Sequence, residues 1–203
     1  MTENATVRSS SFALTFANAL AVFKHVWQQL DALESRLDQE LPDEFKKMQW
    51  IIEGTDEDER KDELDNVVER MWQYDIKKKA QGSPKLARLF CRYLLVPVDG
   101  AEDGSFTPYF SCTVVHKSEG DYGMGDLEYL EDCRSGHDGC EPLILGTHIE
   151  GCLGAFIWPS NEKAFARVTA MYLPIECINS SSLTKEVIPG ILELTKRCVG
   201  VAG

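Results

Sequence analysis

The chain has 203 residues, 43% of them hydrophobic and 27% charged, which is too apolar for a disordered protein and fits one domain with, at most, a helical appendage. Its 33 Asp+Glu against 21 Lys+Arg give a formal charge of −12. That balance argues against a protein built to grip nucleic-acid phosphates, so no direct nucleic-acid binding is expected.

Residues 1–10 (MTENATVRSS) lack the apolar core of a secretory signal and read as a flexible tail. From Ser11 onward, Phe16, Leu20, Phe23, Trp27, Leu30, Leu37 and Leu41 follow a 4-3-4-3 spacing, with Leu33 covering the step at Glu34. This spacing predicts one apolar stripe on a helix from about Phe12 to Glu40, with Ser9, Ser10 or Ser11 capping its first amides. The same stripe could pair with its copy from another chain, making a homodimer through the first helix. Pro42 disfavours α geometry at Leu41 and should break or kink that helix. A shorter helix is expected over Asp43–Glu53, with Phe45, Met48 and Ile52 inward and Gly54 as its stop. Thr55-Asp56-Glu57-Asp58 then fits a capping box for a third helix carrying Leu64, Val67, Val68, Met71 and Trp72. Lys77–Lys79 suit its C-terminal end, where the macrodipole favours cations. Residues 11–80 therefore read as helical.

The character changes after Gln81-Gly82-Ser83-Pro84. Leu89–Val98 and Thr107–His116 are rich in aromatic and β-branched residues and predict two strands joined by the Gly-Asp-rich loop 99–104. Residues 120–139 are polar and Gly-rich, with a short element at Leu127–Leu130. Pro142–His148 and Cys152–Trp158 predict two more strands. Ala164–Ile175 fits either period and is assigned as a strand because Val168, Ala170 and Tyr172 alternate. A final helix is expected between about Leu183 and Cys198, with Pro189-Gly190 delaying or dividing it. The fold class expected is α+β: an N-terminal region of two to three helices, an antiparallel sheet of four to five strands and a C-terminal helix. Residues 81–203 are expected to form one compact unit with 11–80.

Charge is unevenly spread. Residues 31–75 carry a net of −10, residues 76–98 carry +6 with no acidic side chain, and residues 99–141 carry −9. The acidic blocks can be solvated faces, partly neutralised by the basic segment. They can also form a surface that docks on a partner protein with a basic surface, by complementary potential. Asp56, Glu57, Asp58, Glu59, Asp62 and Glu63 are the expected contacts. Trp50, beside Ile51 and Ile52, adds apolar area beyond a narrow helix face and is a candidate for the same interface.

The strongest ligand-bearing cluster is Cys133, His137 and Cys140, followed by His148 and Cys152. Four such groups at tetrahedral geometry would hold zinc, although the spacing matches no common finger or knuckle. The alternative is that Cys140 and Cys152 are small apolar packing residues and His137 an exposed loop histidine. An odd total of seven cysteines in a chain with no export signal suggests reduced thiols and a cytoplasmic address. No apolar stretch is long enough to span a membrane.

No catalytic residues are assigned. Cys112 and His116 are too far apart along one strand to pair, and neither a nucleophile elbow nor a phosphate-binding glycine loop is present in the sequence. Residues 99–110 lack the carboxylate that would complete a calcium loop. The expected function is a non-catalytic, acidic protein-binding factor: an adaptor, inhibitor or immunity-type protein, or a mimic of nucleic acid. The alternative is an enzyme or zinc-stabilised module with its site in the loop-rich 120–152 segment.

Overall fold

The computed structural model describes residues 3–55, 69–79, 85–95, 108–116, 140–158, 167–178 and 183–200. Helix α1 spans Glu3–Lys47. Strands β1 (Trp50–Gly54), β2 (Glu69–Lys78), β3 (Lys85–Leu94), β4 (Tyr109–His116), β5 (Glu141–Pro142), β6 (Gly154–Trp158) and β7 (Arg167–Pro174) follow. After β7 come a 3-10 turn at Ile175–Cys177, a π-helical turn at Leu183–Val187 and helix α2 over Ile188–Val199. The strands form one antiparallel sheet in the order β1-β2-β3-β4-β7-β6-β5. The architecture is α+β, with an N-terminal helical region and a C-terminal helix beside a seven-stranded sheet. Two compact units divide the chain, Met1–Arg36 and Leu37–Gly203.

Three expectations for the first 80 residues are corrected. The helix begins at Glu3, within the expected tail and ahead of the serines proposed as caps. It also runs through Pro42 to Lys47. The lost hydrogen bond and ring clash of an internal proline cost about 3 kcal/mol. Leu41 and Phe45, both wholly buried, each return about 1.5–3 kcal/mol from burial, enough to hold the helical path. Of the expected second helix, Asp43–Lys47 continues α1 while Trp50–Glu53 lies in β1 (Trp50–Gly54), and the described end of the expected third helix, Glu69–Lys78, is β2. Alternation explains both. Trp50 and Ile52 are buried between exposed Ile51 and Glu53, while Trp72, Tyr74 and Ile76 alternate with Gln73, Asp75 and Lys77.

The strands expected at Leu89–Val98, Thr107–His116, Cys152–Trp158 and Ala164–Ile175 are present with shifted ends, β3 beginning earlier, at Lys85, whereas Pro142–His148 contributes only the two-residue β5. The remainder of that segment is irregular chain. The sheet therefore has seven strands in place of four to five. Pro189 lies in the first turn of α2, where its missing N–H costs nothing, and Gly200 ends the helix in the left-handed conformation (φ 75°).

Strand register separates the two faces of the sheet. On one face, Thr169 Oγ1 donates to Leu194 O (3.0 Å) and Cys198 Sγ to Val114 O (3.2 Å), tying α2 across β7 and β4. A side chain on Gly190 would meet Met171 Sδ at 3.1 Å, so α2 approaches β7 closely there. The last turns of α1 join the same face: Tyr74 OH donates to Asp38 (2.7 Å), and Phe45 packs on Trp50 with ring centroids 6.1 Å apart. Thr184 Oγ1 donates to Glu40 (2.8 Å), linking α1 to the π-helical turn. The opposite face carries two apolar clusters, Phe90–Val115–Val168 and Leu94–Tyr109–Ala170–Tyr172.

Candidate functional site

The acidic residues expected to contact a partner, Asp56, Glu57, Asp58, Glu59, Asp62 and Glu63, lie outside the described residues. Trp50 opens β1 with 7% of its surface exposed, and the outward apolar residue beside it is Ile51. Of the expected zinc ligands, Cys133 and His137 also lie outside the described residues. Cys140 is disulfide-bonded, which corrects the expectation that every cysteine is a reduced thiol and removes a thiolate from the ligand set. His148 is exposed and Cys152 is a half-buried thiol. Among the described residues, no three His, Cys, Asp or Glu side chains come together as a metal site.

What orders the His148 segment is α2. Both oxygens of Glu193 accept from Gly146 N (2.7 and 2.9 Å), and Oε2 also accepts from Thr147 N (3.1 Å). Glu186 accepts from Glu150 N at 2.9 Å. Next to this, Gly151 has φ 71°, and a Cβ there would lie 2.6 Å from Cys177 Sγ. Two carboxylates on one helical segment thus satisfy three backbone donors that no strand takes up.

The sheet face opposite α2 holds a charged network. Arg88, on β3, lies in register with Asp75 on β2 and is buried. Its Nε donates to Asp75 Oδ1 (2.8 Å) and its Nη1 to Gln73 Oε1 (2.9 Å), while Lys85 Nζ stands 2.9 Å from Asp75 Oδ2. A guanidinium so saturated with acceptors is a structural tie between two strands. At the sheet edge, the hydrogen bond from Lys77 to Glu53 raises the lysine pKa and joins β2 to β1.

Buried thiols populate the helix-covered face. Cys91 and Cys112 are direct cross-strand partners, both fully buried. Burial, with the hydrogen bond and charge of Cys91, raises the Cys112 pKa well above the ordinary thiol value. Burial also pushes Cys198 up to about 12, against the lowering effect of its own hydrogen bonds. Both are protonated packing groups at neutral pH and poor nucleophiles.

Among the described residues, large apolar side chains are exposed on α1 as well as at Ile51, Ile144 and Leu153. Leu14, Phe16, Leu20 and Val22 are 64%, 62%, 59% and 62% exposed, whereas Leu30, Leu33, Leu37, Leu41 and Phe45 are buried. Phe16 and Leu20 belong to the same stripe as the buried residues. Sequence reasoning found that stripe but missed Leu14 and Val22. The available signal was the run from Ser9 to Phe23, which contains no Asp, Glu, Lys or Arg on any side of the helix. No helix among the described residues is long and apolar enough to cross a membrane. Neither a protein-family model, nor a curated protein, nor a solved structure matches this chain.

Proposed function

We propose that the protein is a non-catalytic binding factor that acts by docking on protein through the N-terminal half of α1. The observation that carries this reading is the exposure, at 59–64%, of four large apolar side chains within nine residues of one helix. Isolated exposed apolar residues are ordinary, but Phe16 and Leu20 lie one turn apart on one side of the helix, with Leu14 and Val22 on the other, and an apolar helix face is the form in which a groove or a second helix recognises it. The acidic blocks add orientation and rate, since a net charge of −12 favours approach by basic surfaces and repels acidic ones.

Two sets of substitutions test this reading in a native-extract capture experiment washed at low and high salt. Phe16→Glu/Leu20→Glu should abolish capture under both washes, because the contact it removes is apolar. Reversing charge at Asp56, Glu57, Asp58, Glu59, Asp62 and Glu63 as a block should weaken capture at low salt and matter little at high salt. Capture indifferent to the helix substitutions overturns the reading. Capture lost at high salt in the unaltered protein and sensitive to the acidic block alone would instead support the mimic of nucleic acid.

A further inference from the structure

We propose that Cys91 and Cys112 form a redox latch: a low-molecular-weight disulfide oxidises the pair to a cross-strand disulfide that staples β3 to β4, and the sheet admits this reaction only when it opens. The proposal is independent of the docking reading above.

Register carries it. Cys91 and Cys112 are direct antiparallel partners in the middle of the sheet. Such partners stand about 4.5–5.5 Å apart at Cα and project from the same face. A disulfide bridges Cα atoms about 4.4–6.8 Å apart, so closing this one asks for no shift of either strand. The two thiols are also hydrogen-bonded to each other, which sets sulfur against sulfur. The third wholly buried thiol, Cys198, is placed differently, since its Sγ donates to Val114 O at 3.2 Å and to Arg167 O at 3.4 Å.

The same surroundings keep the latch open while the sheet is closed. Trp72 lies opposite Cys91 on the β2 side, and Met171 lies opposite Cys112 on the β7 side. Cys91, Cys112 and Met171 have no exposed surface. An oxidant therefore has no approach, and burial also holds the Cys112 thiol protonated. Exchange needs a thiolate with access to the attacked sulfur. Opening supplies both at once, because a solvated thiol returns to a pKa of about 8.5.

The chemistry is two successive exchanges. The thiolate of one cysteine attacks a sulfur of the oxidant, forming a mixed disulfide and releasing one small thiol. The second cysteine then attacks the protein sulfur of that mixed disulfide and expels the other small thiol. Two electrons pass to the oxidant, and the two protons of the pair end on the released thiols. Once β3 and β4 are paired again, the bond restricts the unfolded chain between residues 91 and 112, so reopening becomes harder. An opening event under oxidising conditions is thereby recorded in the molecule until a reductant erases it.

The test treats the full chain with oxidised glutathione, in buffer and at the urea concentration of its unfolding midpoint, and maps disulfides by peptide mass after acid quenching and alkylation. The peptide linked through Cys91 and Cys112 should form at least about tenfold faster at the midpoint than in buffer. After urea is removed, the linked protein should unfold at a higher urea midpoint, and dithiothreitol should return it to the original value. Cys91→Ala treated in the same way should show no such rise, which assigns the shift to this pair. Mapping of the linked peptide needs no variant, so it stands if Cys91→Ala folds poorly. Absence of that peptide under both conditions overturns the proposal, as does a linked protein no more stable than the reduced one. Equal rates in buffer and at the midpoint overturn control by opening.

Discussion

Arg88 ties β2 to β3 through side chains buried on one face of the sheet. Its guanidinium satisfies Asp75 and Gln73 inside the protein, and truncation leaves a carboxylate and an amide facing a vacated site. Arg88→Met should cost about 3 kcal/mol of unfolding free energy in a urea titration, moderated by Lys85, which still neutralises Asp75. Cys198 gives a prediction with a defined pH window. Its folded pKa of about 12 lies above that of an unfolded thiol, about 8.5, so the native state retains a proton that the unfolded chain releases. Its stability contribution is complete below the unfolded value and is lost as pH rises to the folded one, at about 1.4 kcal/mol per pH unit. Between those limits, the stability of Cys198→Ala should fall less steeply than that of the unaltered protein, as read from denaturant titrations at successive pH values. An identical alkaline slope would refute the assignment. Neither role was legible from the sequence. Burial of a thiol and the meeting of Arg88 with Asp75 depend on strand register, which pairs residues 13 positions apart.

The elements show why the sequence misleads in one half and not in the other. From residue 85 onward, β-branched and aromatic runs coincide with strands, since propensity and burial on both faces favour the same answer. Before residue 80, two periods compete. Met71 and Trp72 complete an i, i+3, i+4 helical pattern with residues outside the described ones, yet Trp72 to Lys77 alternates without exception. Alternation wins because a strand lets Tyr74 and Ile76 reach the helix-covered side while Gln73 and Asp75 meet Arg88 on the other. The irregular chain after β5 resembles strand through its apolar residues Leu143 and Ile144, yet after Leu143 N donates to Ala155 O its backbone donors at Gly146 and Thr147 turn to Glu193 instead of a neighbouring strand. What holds that chain is Glu193. Glu193→Ala should speed amide hydrogen exchange at Gly146 and Thr147 by at least about tenfold, as expected for losing charge-assisted bonds of about 1.5–3 kcal/mol. Exchange in β3 and β4 should not change. Unaltered protection at Gly146 would mean that the carboxylate is incidental.

For the molecule as a whole, charge and apolar surface make opposite demands, and salt separates them. Every copy carries −12, so it attracts basic surfaces and repels acidic ones over distances set by the Debye length, about 10 Å at 0.1 M salt and about 30 Å at 0.01 M. A contact along the uncharged Ser9–Phe23 run draws on no attraction between charges, only on burial of Phe16, Leu20 and their neighbours. Adding salt therefore screens the long-range field and leaves that contact intact. Capture through α1 should persist from 0.01 M to about 0.15 M salt at fixed protein concentration. Docking of the acidic blocks on a basic partner should instead weaken over the same range. The double substitution Phe16→Glu/Leu20→Glu should abolish the salt-resistant capture, since it adds charge to the contact and removes the apolar side chains together. Capture that loosens with salt would show that the partner meets the acidic blocks, and would place the contact away from α1.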